Sequence, residues 1–78
     1  MEPEKLVKMA NQIASFFEAE PDRKVALDGI ASHLKRFWDP RMRRELLRFV
    51  DEHAGEGLSE SALAAIHENR TQLTPHDP

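Results

Sequence analysis

Apolar residues recur at helical spacing along nearly the whole chain, and this spacing constrains the fold more than any other feature. In the first segment Leu6, Met9, Ile13 and Phe17 fall on one side of a helix with 3.6 residues per turn. No stretch shows the sustained alternation of apolar and polar residues that is typical of a strand. The sequence therefore predicts an all-α fold.

Proline, glycine and capping residues divide this pattern into four predicted helices, at about residues 3–19, 23–38, 40–53 and 59–70. We expect Asp39 and Ser59 to cap the third and fourth helices, and Gly55 to end the third in a left-handed conformation. Residues 71–78 have little to bury and are predicted to form a loose, flexible tail. The prediction is one helical domain, residues 1–70, built as a small bundle of three main helices plus a short fourth.

The second predicted helix presents one broad apolar face. This face is predicted to hold Leu27, Ile30, Ala31, Leu34, Phe37 and Trp38. Gly29 points roughly away from it. Either the glycine is tolerated, at a cost of about 1 kcal/mol relative to alanine, or a neighbouring chain approaches the helix backbone there. We favour toleration.

Composition excludes several classes of protein. The chain has 78 residues and no cysteine, so it has no disulfide framework and no thiolate metal site. The N-terminus carries acidic residues and lacks an apolar run that could serve as a signal peptide or membrane span. We therefore expect a cytoplasmic protein with no membrane association.

Charge is concentrated at the centre of the sequence. The net charge is −3, yet six of the eleven basic residues and only two of the fourteen acidic residues lie between Lys35 and Arg48. Arg41, Arg43 and Arg44 fall in the first turns of the third helix, where a cation is unfavourable by about 0.3–1 kcal/mol. A basic centre in an acidic chain indicates an anionic partner surface.

The third helix is the predicted docking element. Its outer stripe and neighbouring residues form the predicted partner-binding set: Trp38, Arg41, Arg43, Arg44, Leu47 and Arg48. Leu47 is expected to be exposed between arginines, which make planar contacts with carboxylates or phosphates. Trp38 is predicted to be a core residue with one ring edge at the boundary of the basic patch. The competing interpretation is that the arginines form a solvated face.

No catalytic, cofactor-binding or metal-ligating residues can be assembled from the sequence. The four histidines are separated by at least nine residues and make no metal-binding pair: His33, His53, His67 and His76. The only adjacent carboxylates, Asp51 and Glu52, point in different directions on a helix. We expect no enzymatic activity from this chain by itself.

Three strings carry a resemblance to a known family: "EKLVKMANQIASFF", "IASHLKRFWDPRMRRELL" and "GEGLSESAL". Over about Glu4 to Ala64 the chain resembles the delta subunit of NAD-dependent, molybdenum-containing formate dehydrogenases. "KMANQI" and "FWDPRMRR" are the most specific parts, because helix periodicity alone does not explain them.

The resemblance implies a small cytosolic subunit of a complex that interconverts formate and carbon dioxide with NAD. The larger subunits would be the partners and would carry the molybdenum pterin cofactor, iron–sulfur clusters and FMN. This chain would hold no redox centre and would support assembly or stability of the complex.

Two alternatives of other classes remain open. A nucleic-acid-binding module would place the stripe of Arg41, Arg44 and Arg48 on phosphates, although the acidic net charge and the lack of a known motif argue against it. A free-standing helical homo-oligomer would pair through the broad apolar surface of the first helix.

Overall fold

The computed structural model describes residues 2–76, which contain five helices and no strand. The helices are α1 (Pro3–Phe17), α2 (Arg23–Phe37), α3 (Pro40–His53), α4 (Glu60–Glu68) and α5 (Arg70–Leu73). This architecture confirms the predicted all-α fold. The first helix ends at Phe17 rather than at residue 19, and the predicted fourth helix is interrupted at Asn69. Within the described range, no helix combines the length and apolar character needed to cross a bilayer.

Local capping explains where three of the helices begin. The carboxylate of Asp22 accepts from the Val25 N–H at 3.3 Å, and that of Asp39 accepts from the Met42 N–H at 2.9 Å. The Ser59 hydroxyl accepts from the Ala62 N–H at 3.3 Å. Each bond satisfies a backbone donor that has no partner within its own helix. The caps predicted at Asp39 and Ser59 are confirmed.

Helix α2 is central, because it contacts α1, α4 and α5, while α3 packs against α1. The interior is filled by large side chains that are almost completely buried: Leu6, Ile30, Leu34, Leu46, Ile66 and Leu73. Four fully buried alanines lie on α1 and α4: Ala10, Ala14, Ala62 and Ala65. Small side chains at a helix contact allow the two axes to approach closely, which is how a chain this short encloses a core.

The loop between α3 and α4 is held in place from α1. The backbone has positive φ at Ala54 (55°), Gly55 (71°) and Gly57 (90°), so the left-handed end predicted at Gly55 starts one residue earlier. The Asn11 side chain donates to the Gly57 carbonyl at 2.9 Å and accepts from the Ser59 N–H at 2.8 Å. Asn11 therefore joins α1 to the start of α4, a role that sequence analysis did not assign.

Gly29 lies where the Phe17 ring approaches the α2 backbone, so a Cβ atom at this position would force that ring to shift. A Cβ atom built on Gly29 would lie 2.6 Å from Cε1 of Phe17, whose ring rests against the α2 backbone. The prediction of toleration is wrong, because the approaching group comes from α1, the neighbouring helix of the same chain. Helical periodicity places Gly29 outside the core face of α2 and does not reveal that another helix passes there.

The C-terminal segment packs against the bundle as far as it is described. Leu73 of α5 is only 1% exposed, so the prediction that this segment has little to bury is wrong. Arg70 binds Asp51 of α3 through two hydrogen bonds of 2.7 Å, and the Lys35 ammonium donates to the Gln72 carbonyl at 3.2 Å. The last part of the predicted tail, residues 77 and 78, lies outside the described residues.

Replacing Gly29 by alanine should destabilise the chain even though alanine favours a helix by about 1 kcal/mol. The new methyl group would displace the Phe17 ring, and overpacking of this kind costs about 1–3 kcal/mol. In a Phe17→Ala background the same Gly29→Ala change should instead raise the free energy of unfolding by about 0.5–1 kcal/mol. Urea denaturation of the four variants measures the sign reversal. An equal effect in both backgrounds would contradict the proposed contact.

Candidate protein-docking surfaces

The outer face of α3 carries the predicted arginine stripe. Arg41, Arg44 and Arg48 are all exposed, and spacings of three and four residues place them on one side of the helix. We call these three residues the arginine face. Arg41 and Arg44 lie in the early turns of α3, whose first turn holds no acidic residue, and Arg48 lies near the middle of the helix. The helix dipole therefore does not favour the positive charge of Arg41 and Arg44.

A groove of about 400 Å³ runs beside the arginine face. Arg44 and Arg48 border it together with Asp51, Glu52 and Arg70. The hydrogen bond from Arg70 holds the pKa of Asp51 below its ordinary value, so this carboxylate stays ionised at neutral pH. The groove thus combines both signs of charge, which suits a polar protein surface better than a uniformly anionic phosphate backbone.

Leu47 does not lie on the surface as predicted. It is 5% exposed and belongs to the core cluster. Thr74 and Pro75 border the same groove as Leu47, which places the C-terminal segment over this side of α3. The predicted exposure is wrong because the helical-wheel analysis left one side of α3, between its core face and the arginine face, uncovered. The C-terminal segment lies over that side.

Arg43 differs from the three arginines of the arginine face because its side chain is buried. It is 8% exposed, and its Nε donates to the Trp38 carbonyl at 3.2 Å while its Nη1 donates to the Leu73 carbonyl at 3.2 Å. These carbonyls lie at the C-terminal ends of α2 and α5, where helix oxygens lack partners in their own helix. Arg43 therefore has a structural role and lies outside the exposed arginine face.

Trp38 follows the last residue of α2 and is 5% exposed. Its burial agrees with the predicted core position. The indole also borders a groove of about 460 Å³ that Met9, Ile13 and Phe16 of α1 line with it. We call this the aromatic groove. Trp38 thus lies at the edge of a second surface, distinct from the groove beside the arginine face.

Two phenylalanines project into solvent next to the aromatic groove. Phe16 is 80% exposed and Phe37 is 66% exposed. The Phe16 and Phe17 ring centroids are 5.4 Å apart in an edge-to-face arrangement, and those of His33 and Phe37 are 4.7 Å apart. Phe17 and His33 complete the series at 6.5 Å. We call these four residues the aromatic surface.

Sequence analysis did not identify the aromatic surface. It placed Phe37 on the buried face of α2, and this placement is wrong. A partial signal was available in α1: Phe16 and Phe17 are consecutive and therefore about 100° apart around the helix, so the two rings cannot both lie at the centre of one apolar face. The equivalent signal in α2 is the pair Phe37 and Trp38, of which only the tryptophan is buried.

Among the described residues, no group of three or more histidine, aspartate or glutamate side chains is placed to hold a metal ion. His33 packs between the rings of Phe17 and Phe37, and His53 packs against Phe49 at a centroid distance of 4.9 Å.

Fold and surfaces together define a small all-α protein with a basic face on one helix and an exposed aromatic surface on two others. The chain belongs to the family described as NADH-dependent formate dehydrogenase delta subunit, FdsD, whose sequence model matches residues 5–66. The match spans most of the 78 residues and confirms the resemblance carried by the three strings. No curated protein and no solved structure gives a significant match.

Replacing Arg43 by methionine should lower the free energy of unfolding by about 2–5 kcal/mol, because two buried carbonyls lose charged donors. Arg41→Met on the same helix is the matched control and should change stability by less than about 0.5 kcal/mol, since Arg41 is exposed. Urea denaturation followed by circular dichroism provides the measurement. Equal effects of the two substitutions would show that the Arg43 hydrogen bonds contribute nothing to stability.

Proposed function

We infer that this chain is a non-catalytic accessory subunit of a cytosolic, NAD-dependent molybdenum formate dehydrogenase, and that it supports assembly or stability of the complex. The observation that carries this proposal is the family match over residues 5–66. The three family strings supply residues with clear structural roles, among them Asn11, Asp39 and Arg43. The chain's contribution is then to present surfaces to the larger subunits.

The arginine face is the proposed docking element. Guanidinium groups form planar, two-point hydrogen bonds with carboxylates, so Arg41, Arg44 and Arg48 would meet an acidic surface on a larger subunit. Trp38, Arg43 and Leu47 are buried within the chain. These three residues would hold α3 in position, and most of their surface would make no contact with the partner.

Redox chemistry would reside in the partners. The larger subunits would hold the molybdenum pterin cofactor, the iron–sulfur clusters, FMN and the NAD site. This chain supplies no cysteine for a cluster. Its effect on formate oxidation would therefore be indirect, through the amount of correctly assembled and cofactor-loaded enzyme.

Deleting the chain from cells that produce the remaining subunits should reduce the amount of assembled complex, its molybdenum content and its formate-dependent NADH formation. Size-exclusion chromatography, metal analysis and an NADH absorbance assay measure the three quantities. Expression of the wild-type chain from a plasmid is the control and should restore all of them. Unchanged assembly, cofactor content and activity in the deletion strain would contradict the proposal.

The triple variant Arg41→Gln/Arg44→Gln/Arg48→Gln should keep its free energy of unfolding within about 1 kcal/mol, because all three side chains are exposed and two of them are cations in the early turns of α3. Its association with the larger subunits should weaken by about 2–5 kcal/mol for each charge pair buried at the interface. The matched control removes the same charge elsewhere: Lys5→Gln/Lys8→Gln/Lys24→Gln. Co-purification distinguishes the two variants. Equal recovery of the larger subunits would identify the arginine face as solvated surface.

A further inference from the structure

The aromatic groove differs from other grooves on the surface in the charge of the residues that line it. Of five surface grooves formed by the described residues, it is the one with no carboxylate among its lining residues. Its polar members are Gln12 and His33. In a chain of net charge −3 this absence creates a local apolar surface free of negative charge.

Exposure of the aromatic surface is unfavourable in an isolated protein. Phe16 and Phe37 each leave most of their ring in water, although burying a phenylalanine is worth about 1.5–3 kcal/mol. Clustered exposed aromatic side chains are typical of interaction sites and are enriched among the residues that dominate binding energy. A partner that covers these rings gains the free energy of burying them, which folding of the isolated chain does not provide.

The shape of the site matches one helix. Met9, Ile13 and Phe16 follow one another along α1 and line the groove together with His33 of α2, whose ring packs against that of Phe37. The row on α1 is about 10 Å long, or about two helical turns. A groove between two adjacent helices with an apolar row of this length can accept the apolar face of a third helix.

The positive charge of Arg36 favours a negatively charged group on whatever binds the aromatic surface. The guanidinium carbon of Arg36 lies 5.6 Å from the centroid of the Phe37 ring, in the last turn of α2. A carboxylate that approaches the exposed aromatic surface beside Arg36 gains a charge-assisted hydrogen bond and meets no acidic group in the groove. In a symmetric pairing of two copies of this chain, neither groove would supply a carboxylate to the Arg36 of the other copy.

We propose that the aromatic surface and the aromatic groove bind an amphipathic helix of a larger formate dehydrogenase subunit, with an acidic residue of that helix on Arg36. This inference rests on the proposed function and adds a second contact, formed by α1 and α2, to the arginine face of α3. The aromatic rings supply most of the binding energy, and Arg36 fixes the register of the helix.

A competition experiment in the assembled complex tests the proposal. Wild-type chain and a tagged variant are expressed at equal levels, and the complex is purified through a larger subunit. The variant Phe16→Ser/Phe37→Ser should occupy less than about one tenth of the complexes, because each aromatic anchor contributes at least about a tenfold gain in affinity. Val25→Ser, at a residue that is 53% exposed on α2 and does not line the groove, is the apolar control and should compete equally.

A second pair of variants tests the acidic contact. Arg36→Glu and Lys8→Glu change the net charge equally, but Lys8 borders a different groove. Only Arg36→Glu should be depleted from the complex, by about tenfold. Thermal unfolding of each isolated variant verifies folding. If the double phenylalanine variant does not fold, the Arg36 and Lys8 pair decides the question.

The outcomes separate this inference from the proposed function. Equal competition by the Phe16/Phe37 or the Arg36 variant overturns the aromatic docking site while leaving the accessory role intact. Absence of the wild-type chain from the purified complex overturns both. A photo-crosslinking benzoylphenylalanine at position 37 should link to a helix of a larger subunit. Crosslinks solely to a second copy of this chain would assign the surface to self-association and overturn the proposal.

Discussion

The guanidinium of Arg43 links the end of α2 to the end of α5, two segments that are far apart in the sequence. It lies early in α3, where the helix dipole disfavours a cation, yet it donates to the carbonyls of Trp38 and Leu73. Leu73 ends α5 and Trp38 directly follows α2, so both carbonyls lie where helix oxygens lack a partner in their own helix. Arg43 thereby links the connection between α2 and α3 to the C-terminal segment, which the burial of Leu73 and the Arg70–Asp51 pair also hold in place.

Much of what makes the family strings distinctive is explained by folding. Asn11 in "KMANQI" holds the loop before α4, and Asp39 in "FWDPRMRR" caps α3. In "GEGLSESAL" a glycine supplies positive φ at position 57, and Ser59 caps α4. These residues build a small domain without disulfides. The exposed arginines and phenylalanines beside them leave most of their side chains outside the core, and they are the basis of the docking proposals.

A subunit of a larger assembly can expose groups that would be unfavourable in a solitary protein. Arg41 and Arg44 of the arginine face place positive charge near the start of α3, and the aromatic surface leaves Phe16 and Phe37 in water. The two surfaces use different chemistry, since one offers charged hydrogen bonds and the other offers apolar area. Contacts through both would give the small chain a defined orientation on its partners, because three helices would then be constrained at once.

The sequence by itself determined the helices, most of their ends and the positions of the caps. These features depend on residues within one or two turns, as with Asp39 and the Met42 N–H. Tertiary structure alone decided that Leu47 and Arg43 are buried and that Phe37 is exposed. It also brought Leu73 into the core. Periodicity shows which side chains share a face of a helix. Which face another segment covers is set by contacts between residues distant in the chain, such as Phe17 on Gly29.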